Sequence, residues 1–211
     1  MSDLASRTLT GIVMIAVALG AAYLGGYFFA VLAASVAVVI YYEWRRMAKG
    51  WGFGWQVGGF IYALIPALAL LWIRDRAPQG FELLIWVFIV IWATDIGAYF
   101  AGRAIGGPKL APSISPNKTI AGLVGGALSA ALAGWAWIEF TALPLSLAFL
   151  APIFAIAAQG GDLFESWMKR QAGVKDSGSW LPGHGGAMDR LDGLVVVASL
   201  TAAVQLVGWL A

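Results

Sequence analysis

From Thr8 to Tyr42 the chain carries no Asp, Glu, Lys, Arg or His. At about 20 residues per crossing, that uncharged run is long enough to traverse a hydrocarbon layer nearly twice. The rest of the chain could not shield it from water. Of the 211 residues, 61% are hydrophobic and only 11% charged, against roughly 45–50% and 25% in soluble domains. The apolar residues come in solid runs and lack the two-residue alternation of a barrel strand. The expected fold class is all-α, a polytopic transmembrane helix bundle.

Seven apolar stretches suit a crossing, at residues 8–24, 26–42, 55–73, 81–100, 120–138, 146–161 and 191–210. The first two are divided only by a short glycine-containing break at Gly25 and Gly26, which suits a tight hairpin or one bent unit. The N-terminal run is read as a retained first helix. With the N-terminus on the cytoplasmic side, eleven of the thirteen basic residues fall on that side, leaving only Arg74 and Arg76 outside. This asymmetry sets the orientation, and the three substantial links, 43–54, 101–119 and 162–190, all lie on the cytoplasmic face. The chain divides into N-terminal transmembrane helices (1–91) and a C-terminal region (92–211) that holds the chemistry. Among the eleven tryptophans, Trp44, Trp51, Trp55, Trp72, Trp135, Trp137 and Trp209 sit at expected span ends, where an amphipathic ring suits the membrane interface. The small residues from Gly122 to Gly134 suit close helix packing or a self-associating face, so a homodimer is an open alternative. The chain has no cysteine, which excludes disulfides and thiolate chemistry. Its net charge of +2 gives no reason to expect a nucleic-acid partner.

The ionisable residues gather in few places. Asp95 lies toward the end of a span, where a carboxylate is costly and suits a bundle interior or a water-filled cavity. In 106–126, Ser115 and Thr119 flank Lys118 just before an expected helix start. Unpaired N–H groups at a helix N-terminus favour phosphate, although a plain helix cap by either hydroxyl is an equal alternative. Asn117 before Lys118 and the absence of an expected preceding strand exclude a Walker A loop. If the segment from Gln159 is helical, Asp162, Glu165 and Lys169 share a face, with Ser166 and Arg170 beside them. Together with Asp189 and Asp192, the acids suggest a cation site for Mg²⁺, which prefers oxygen ligands and shares them with substrate phosphates. Lys169, Arg170, Lys175 and Arg190 could hold a polyphosphate. Gly183, Gly185 and Gly186, around the single histidine His184, suit close backbone approach to a ligand.

The order Ser166, Lys169, Arg170, Lys175, Asp176, Gly178, Pro182, His184, Gly185, Gly186, Asp189, Arg190 and Asp192 closely resembles the signature of the phosphatidate cytidylyltransferases, also called CDP-diacylglycerol synthases. The stretch "DIGAYFAGRAIGGPKLAPSISPNKT" upstream is similar to the same family, so the resemblance covers about residues 92–193. Ala187 and Ala121 depart from its usual residues. The resemblance implies transfer of a cytidylyl group from CTP to phosphatidate in phospholipid biosynthesis, in a bacterial inner membrane, with the site facing the cytoplasm and within the signature loop 162–192. On this reading Asp162 and Asp189 are metal ligands, with Glu165 and Asp192 supporting them. Lys118, Lys169, Arg170, Lys175 and Arg190 contact phosphates, and Ser115, Thr119 and Asp176 bind substrate. His184 orients a phosphate or acts as an acid or base. The rivals are a CTP-dependent enzyme for another lipid, including a prenol kinase, and an ion-coupled transporter.

Overall fold

The computed structural model describes residues 3–76, 78–180 and 185–208. Seven long helices carry the chain: α1 (Asp3–Leu24), α2 (Gly26–Met47), α3 (Phe53–Arg74), α4 (Gly80–Ala104), α5 (Ile120–Glu139), α6 (Ser146–Gln171) and α7 (Met188–Leu206). Between α4 and α5 lies a two-stranded antiparallel ribbon of β1 (Lys109–Ala111) and β2 (Ser115–Thr119), which the sequence reading did not anticipate. Both strands are edges, so Pro116 in β2 removes no bond that a third strand would need. The chain turns between α1 and α2 at Gly25 and Gly26, with φ of 64° and 49°. This is left-handed backbone that glycine adopts without a Cβ penalty, and it separates the two helices. Across that turn, the Arg74 guanidinium donates to the carbonyls of Ala22 and Tyr23, placing a cation on the C-terminus of α1 where the helix dipole favours it.

Among the described residues, five helices, α2 to α6, are long and apolar enough to cross a membrane, where seven crossings were expected. Of the other two, α1 contributes the apolar stretch Thr8–Leu24, and α7 carries Asp189, Arg190 and Asp192 in its first turns. Large apolar side chains face outward, among them Leu128, Leu132 and Phe149, each at least 60% exposed, as a lipid-facing surface requires. The fold is therefore that of a helical integral membrane protein.

The links expected to carry the charges are partly helix. α6 spans 26 residues, about 39 Å at 1.5 Å per residue, against a hydrocarbon thickness of about 30 Å. Its last turns, with Asp162, Glu165, Lys169 and Arg170, continue past the apolar stretch. The small-residue face of α5 is used within the chain. Gly122, Gly126, Ala130 and Gly134 are buried at four-residue spacing, and a Cβ on Gly126 would lie 2.9 Å from the Thr94 carbonyl oxygen of α4. That backbone cannot yield cheaply. Gly126→Val is expected to cost about 1–3 kcal/mol by overpacking, whereas Gly58→Ala, at an open position in α3, costs none; thermal unfolding in detergent reads the difference. Several tryptophans also turn inward. Trp44 is buried and donates to the Trp55 carbonyl at 2.8 Å. It forms a cluster with Trp51, Trp55, Tyr62, Phe164 and Trp167 that ties α2, α3 and α6 together at the end where the charges gather. Trp137 donates to the Glu82 carbonyl, Trp72 stacks under Arg76, Trp135 is exposed, and Trp209 lies outside the described residues.

Candidate active site

The last turns of α6 carry two separate charge clusters. In the first, Lys118 from β2 reaches Asp162 at 2.5 Å and donates to Gln159 Oε1 at 2.8 Å. Ser166 also donates to Asp162, at 3.3 Å. In the second, Lys169 Nζ lies 2.6 Å from Asp189 Oδ1 and 3.2 Å from Glu165 Oε1. The helical expectation is borne out, with Glu165 and Lys169 paired at i, i+4. Glu165 is fully buried and neither of its carboxylate oxygens is aligned for a hydrogen bond, so the Lys169 contact compensates its charge without satisfying it as an acceptor.

Asp189 also shapes the segment between α6 and α7. Its Oδ2 accepts from the backbone N–H groups of Ser177 and Gly186, both at 2.9 Å. A second carboxylate, absent from the sequence-based set, does the same from the other side. Glu43 of α2, completely buried, accepts from Ser177 Oγ at 3.0 Å, Ala187 N at 3.0 Å and Met188 N at 2.8 Å. Two of the loop glycines serve this arrangement. A Cβ on Gly178 would overlap the Glu43 carboxylate, and one on Gly186 would meet the Gly178 backbone at 2.6 Å. The close approach expected toward a ligand is, at Gly186, an approach of the loop to itself. Pro182, Gly183 and His184 lie outside the described residues, and so does the acid/base role expected for His184.

Beside the first cluster opens a cavity of about 580 Å³, walled by α4, β2, α5 and α6. Its polar lining is Asp95, Arg103, Asn117, Lys118, Thr119, Gln159 and Asp162, and Tyr99 and Leu123 add an apolar side. Asp95, expected to close the floor of a polar site, faces this space. Asp192 is within electrostatic reach of Asp162, Asp95 and Lys118, and Arg190 is within reach of Asp95. Of the four carboxylates anticipated as one cation site, Asp162 lines the cavity together with Asp95, Glu165 and Asp189 hold Lys169, and Asp192 is within electrostatic reach of Asp162 and of Glu165. Among the described residues, no three acids converge closely enough to hold a metal ion by themselves. Mg²⁺ does not require three, since it commonly takes one or two carboxylates, waters and substrate phosphates. Asp162, partly exposed to the cavity and held by an ammonium group where a cation could sit, fits that pattern.

Of the residues expected to bind substrate, Lys118 and Thr119 line the cavity, as does Asp162, expected to bind metal. Thr119 is also the N-cap of α5, accepting from Gly122 N at 3.0 Å, so its oxygen serves the helix. Ser115 begins β2, paired with Ala111. Arg170 is exposed and its Nε lies 3.4 Å from the Ile114 carbonyl of the ribbon turn. Lys175, Asp176 and Arg190 are exposed at the two ends of the α6–α7 segment. The sequence reading passed over Glu43, Arg103 and Gln159. A signal existed for Glu43, which is the one acid between Asp3 and Asp75, at the end of a span that was read for its basic residues and tryptophans.

Comparison with known proteins points the same way. The model of the cytidylyltransferase family matches residues 49–207. The chain is 37% identical to the phosphatidate cytidylyltransferase of Brucella suis biovar 1, over 95% of this chain and 92% of the relative. It is 34% identical to that of Rickettsia bellii, over 94% and 89%. To that of Haemophilus influenzae it is 44% identical over a shorter stretch, 60% of this chain and 44% of the relative.

Proposed function

The chain belongs to the cytidylyltransferase family, and on that premise we propose that it transfers the cytidylyl group of CTP to phosphatidate, giving CDP-diacylglycerol and pyrophosphate. The observation that supports this best is the cavity: Lys118, Arg103, Asn117 and Asp162 line it at one end of an otherwise apolar bundle. Exposed Ile96, Tyr99, Phe100 and Ile120 stand beside it. A water-borne nucleotide and a lipid phosphate can meet in such a place. We read the basic end of the bundle as cytoplasmic, α1 and α7 as completing seven spans, and the membrane as the bacterial inner membrane.

The reaction asks little covalent work of the protein. A phosphate monoester carries nucleophilic oxygens at neutral pH. One of them attacks the α-phosphorus, the bond from that phosphorus to the oxygen bridging toward the β-phosphorus breaks, and pyrophosphate leaves. What remains is positioning and charge neutralisation. Lys118 and Arg103 face the cavity and suit the phosphates; Arg170, Lys175 and Arg190, exposed at the same end of α6 and α7, suit the departing pyrophosphate, and Lys169 would join them only by leaving Glu165 and Asp189. Asn117 and the Thr119 hydroxyl hydrogen, with Ser115 nearby in sequence and Asp176 from the α6–α7 segment, are donors and acceptors for the nucleotide. Asp162, with Asp192 in electrostatic reach, would hold Mg²⁺, and Glu165 and Asp189 could join only by exchanging Lys169 for the cation. When bound, the cation neutralises phosphate oxygens and the pyrophosphate leaving group.

The test is incubation of the purified protein in detergent with phosphatidate, Mg²⁺ and CTP labelled at the α-phosphorus. Label is expected in the lipid phase and lost with EDTA. Label reaching lipid only from the γ-phosphorus would replace this reading with a CTP-dependent kinase. No transfer from either position by folded protein would overturn both.

A further inference from the structure

Glu43 stands outside the stretch matched by the family model, six positions before its start. It is also remote in sequence from every residue assigned to chemistry above. Yet its buried carboxylate is bonded to both ends of the segment that links α6 to α7. Oε2 accepts from Ser177 Oγ and Met188 N, and Oε1 accepts from Ala187 N. Lys175 and Asp176 lie immediately before the first of these contacts, and Asp189 and Arg190 immediately after the last. On the other side, Asp189 closes the same base through Ser177 N and Gly186 N. The trace of the chain leaves room for this: Gly178 and Gly186 lack the side chains that would collide with the carboxylate or with each other.

We propose that Glu43 is a positioning residue for the reaction: it fixes the spacing of Lys175–Asp176 against Asp189–Arg190, and with it the geometry in which these groups meet the nucleotide's phosphates. The proposal rests on the cytidylyltransferase reading for its consequence but not for the clamp. The carboxylate is needed as such. Both backbone partners donate, each to a different oxygen. An amide, whichever way it lies, turns its NH₂ toward one of them and loses that bond.

The experiment measures two things on Glu43→Gln in detergent. Hydrogen exchange of the Ala187 and Met188 amides is expected to quicken while the interiors of α4 and α5 stay protected. Turnover per folded molecule is expected to fall roughly 100-fold, as a displacement of about 1 Å in a positioned group can cost. The KM for phosphatidate is expected to hold. A purely structural role would instead lower the folded fraction and leave turnover per folded molecule unchanged. Ser177→Ala, which removes one bond and leaves Glu43 accepting from Met188 N and Ala187 N, serves if Glu43→Gln fails to fold; it is expected to show the same two changes, smaller. Unchanged exchange at Ala187 and Met188 overturns the clamp. Quickened exchange with wild-type turnover overturns its part in the reaction. If the wild type itself moves no label from CTP, the reaction reading fails alone and exchange still decides the clamp.

Discussion

Lys169→Met is expected to destabilise the protein by about 3–5 kcal/mol, the cost of breaking a buried ion pair by removing one partner. The side chains of Lys169, Glu165 and Asp189 are 13%, 0% and 8% exposed, so water cannot replace the missing ammonium. Methionine fills nearly the same volume, which isolates the loss of charge from the loss of packing. Two carboxylates would then share a site closed to solvent, and among the described residues Glu165 has no well-aligned hydrogen bond to fall back on. Thermal unfolding in detergent reads the loss. Glu165→Gln in the Lys169→Met background removes one of the stranded charges and is expected to recover part of it, giving a coupling of about 0.5–3 kcal/mol between the sites. A single mutant as stable as the wild type would show that Lys169 does not compensate these acids.

That dependence shows which pairings of the four carboxylates spacing alone does not supply. Spacing placed Asp162, Glu165 and Lys169 on one side of a helix, and the helix is there. But Asp162 lies a full turn nearer the cavity and meets Lys118 from the ribbon, while Glu165 turns inward to Lys169. Which acid faces which cation is decided by where β2 and α7 come to rest against α6. No local pattern carries that information. The apolar runs, in contrast, are local signals, and every expected span became a helix with ends displaced by a few residues. The largest displacement is at α6, which continues through Asp162–Gln171 because charged helix formers extend a helix as readily as apolar ones once it has left the lipid.

Other features were hidden for different reasons. The ribbon at 109–119 rests on strands of three and five residues, too short for an alternating pattern to register. The inward turn of Trp44, Trp51 and Trp55 was illegible because an amphipathic ring suits an interface and a packed helix junction equally. Glu43 was visible as an isolated acid at a span end. Its role appears only when α2 is set against a loop more than 130 residues further along, as the separation of its bonded partners shows.

Asp162→Asn is expected to lower the turnover of CTP by about 10²–10³-fold, the scale found when one preorganised charge-stabilising group is removed from an active site, with little change in stability. The two halves of that expectation have different origins. Asp162 is 38% exposed in its side chain and its pair with Lys118 opens to the cavity, so the ion pair adds only about 0–1 kcal/mol to the fold. Asparagine keeps the shape: its amide oxygen can still accept from Lys118, and its NH₂ can donate to the Ser166 hydroxyl. What it loses is the negative charge offered to a cation shared with the nucleotide. The Mg²⁺ concentration giving half-maximal rate should therefore rise along with the fall in turnover, whereas Lys118→Met should raise the KM for CTP and leave the Mg²⁺ dependence near that of the wild type. Retained turnover with an unchanged Mg²⁺ dependence in Asp162→Asn would move the cation away from this carboxylate. The second cluster, where Glu165 and Asp189 are held by Lys169, would then be the place to look for it.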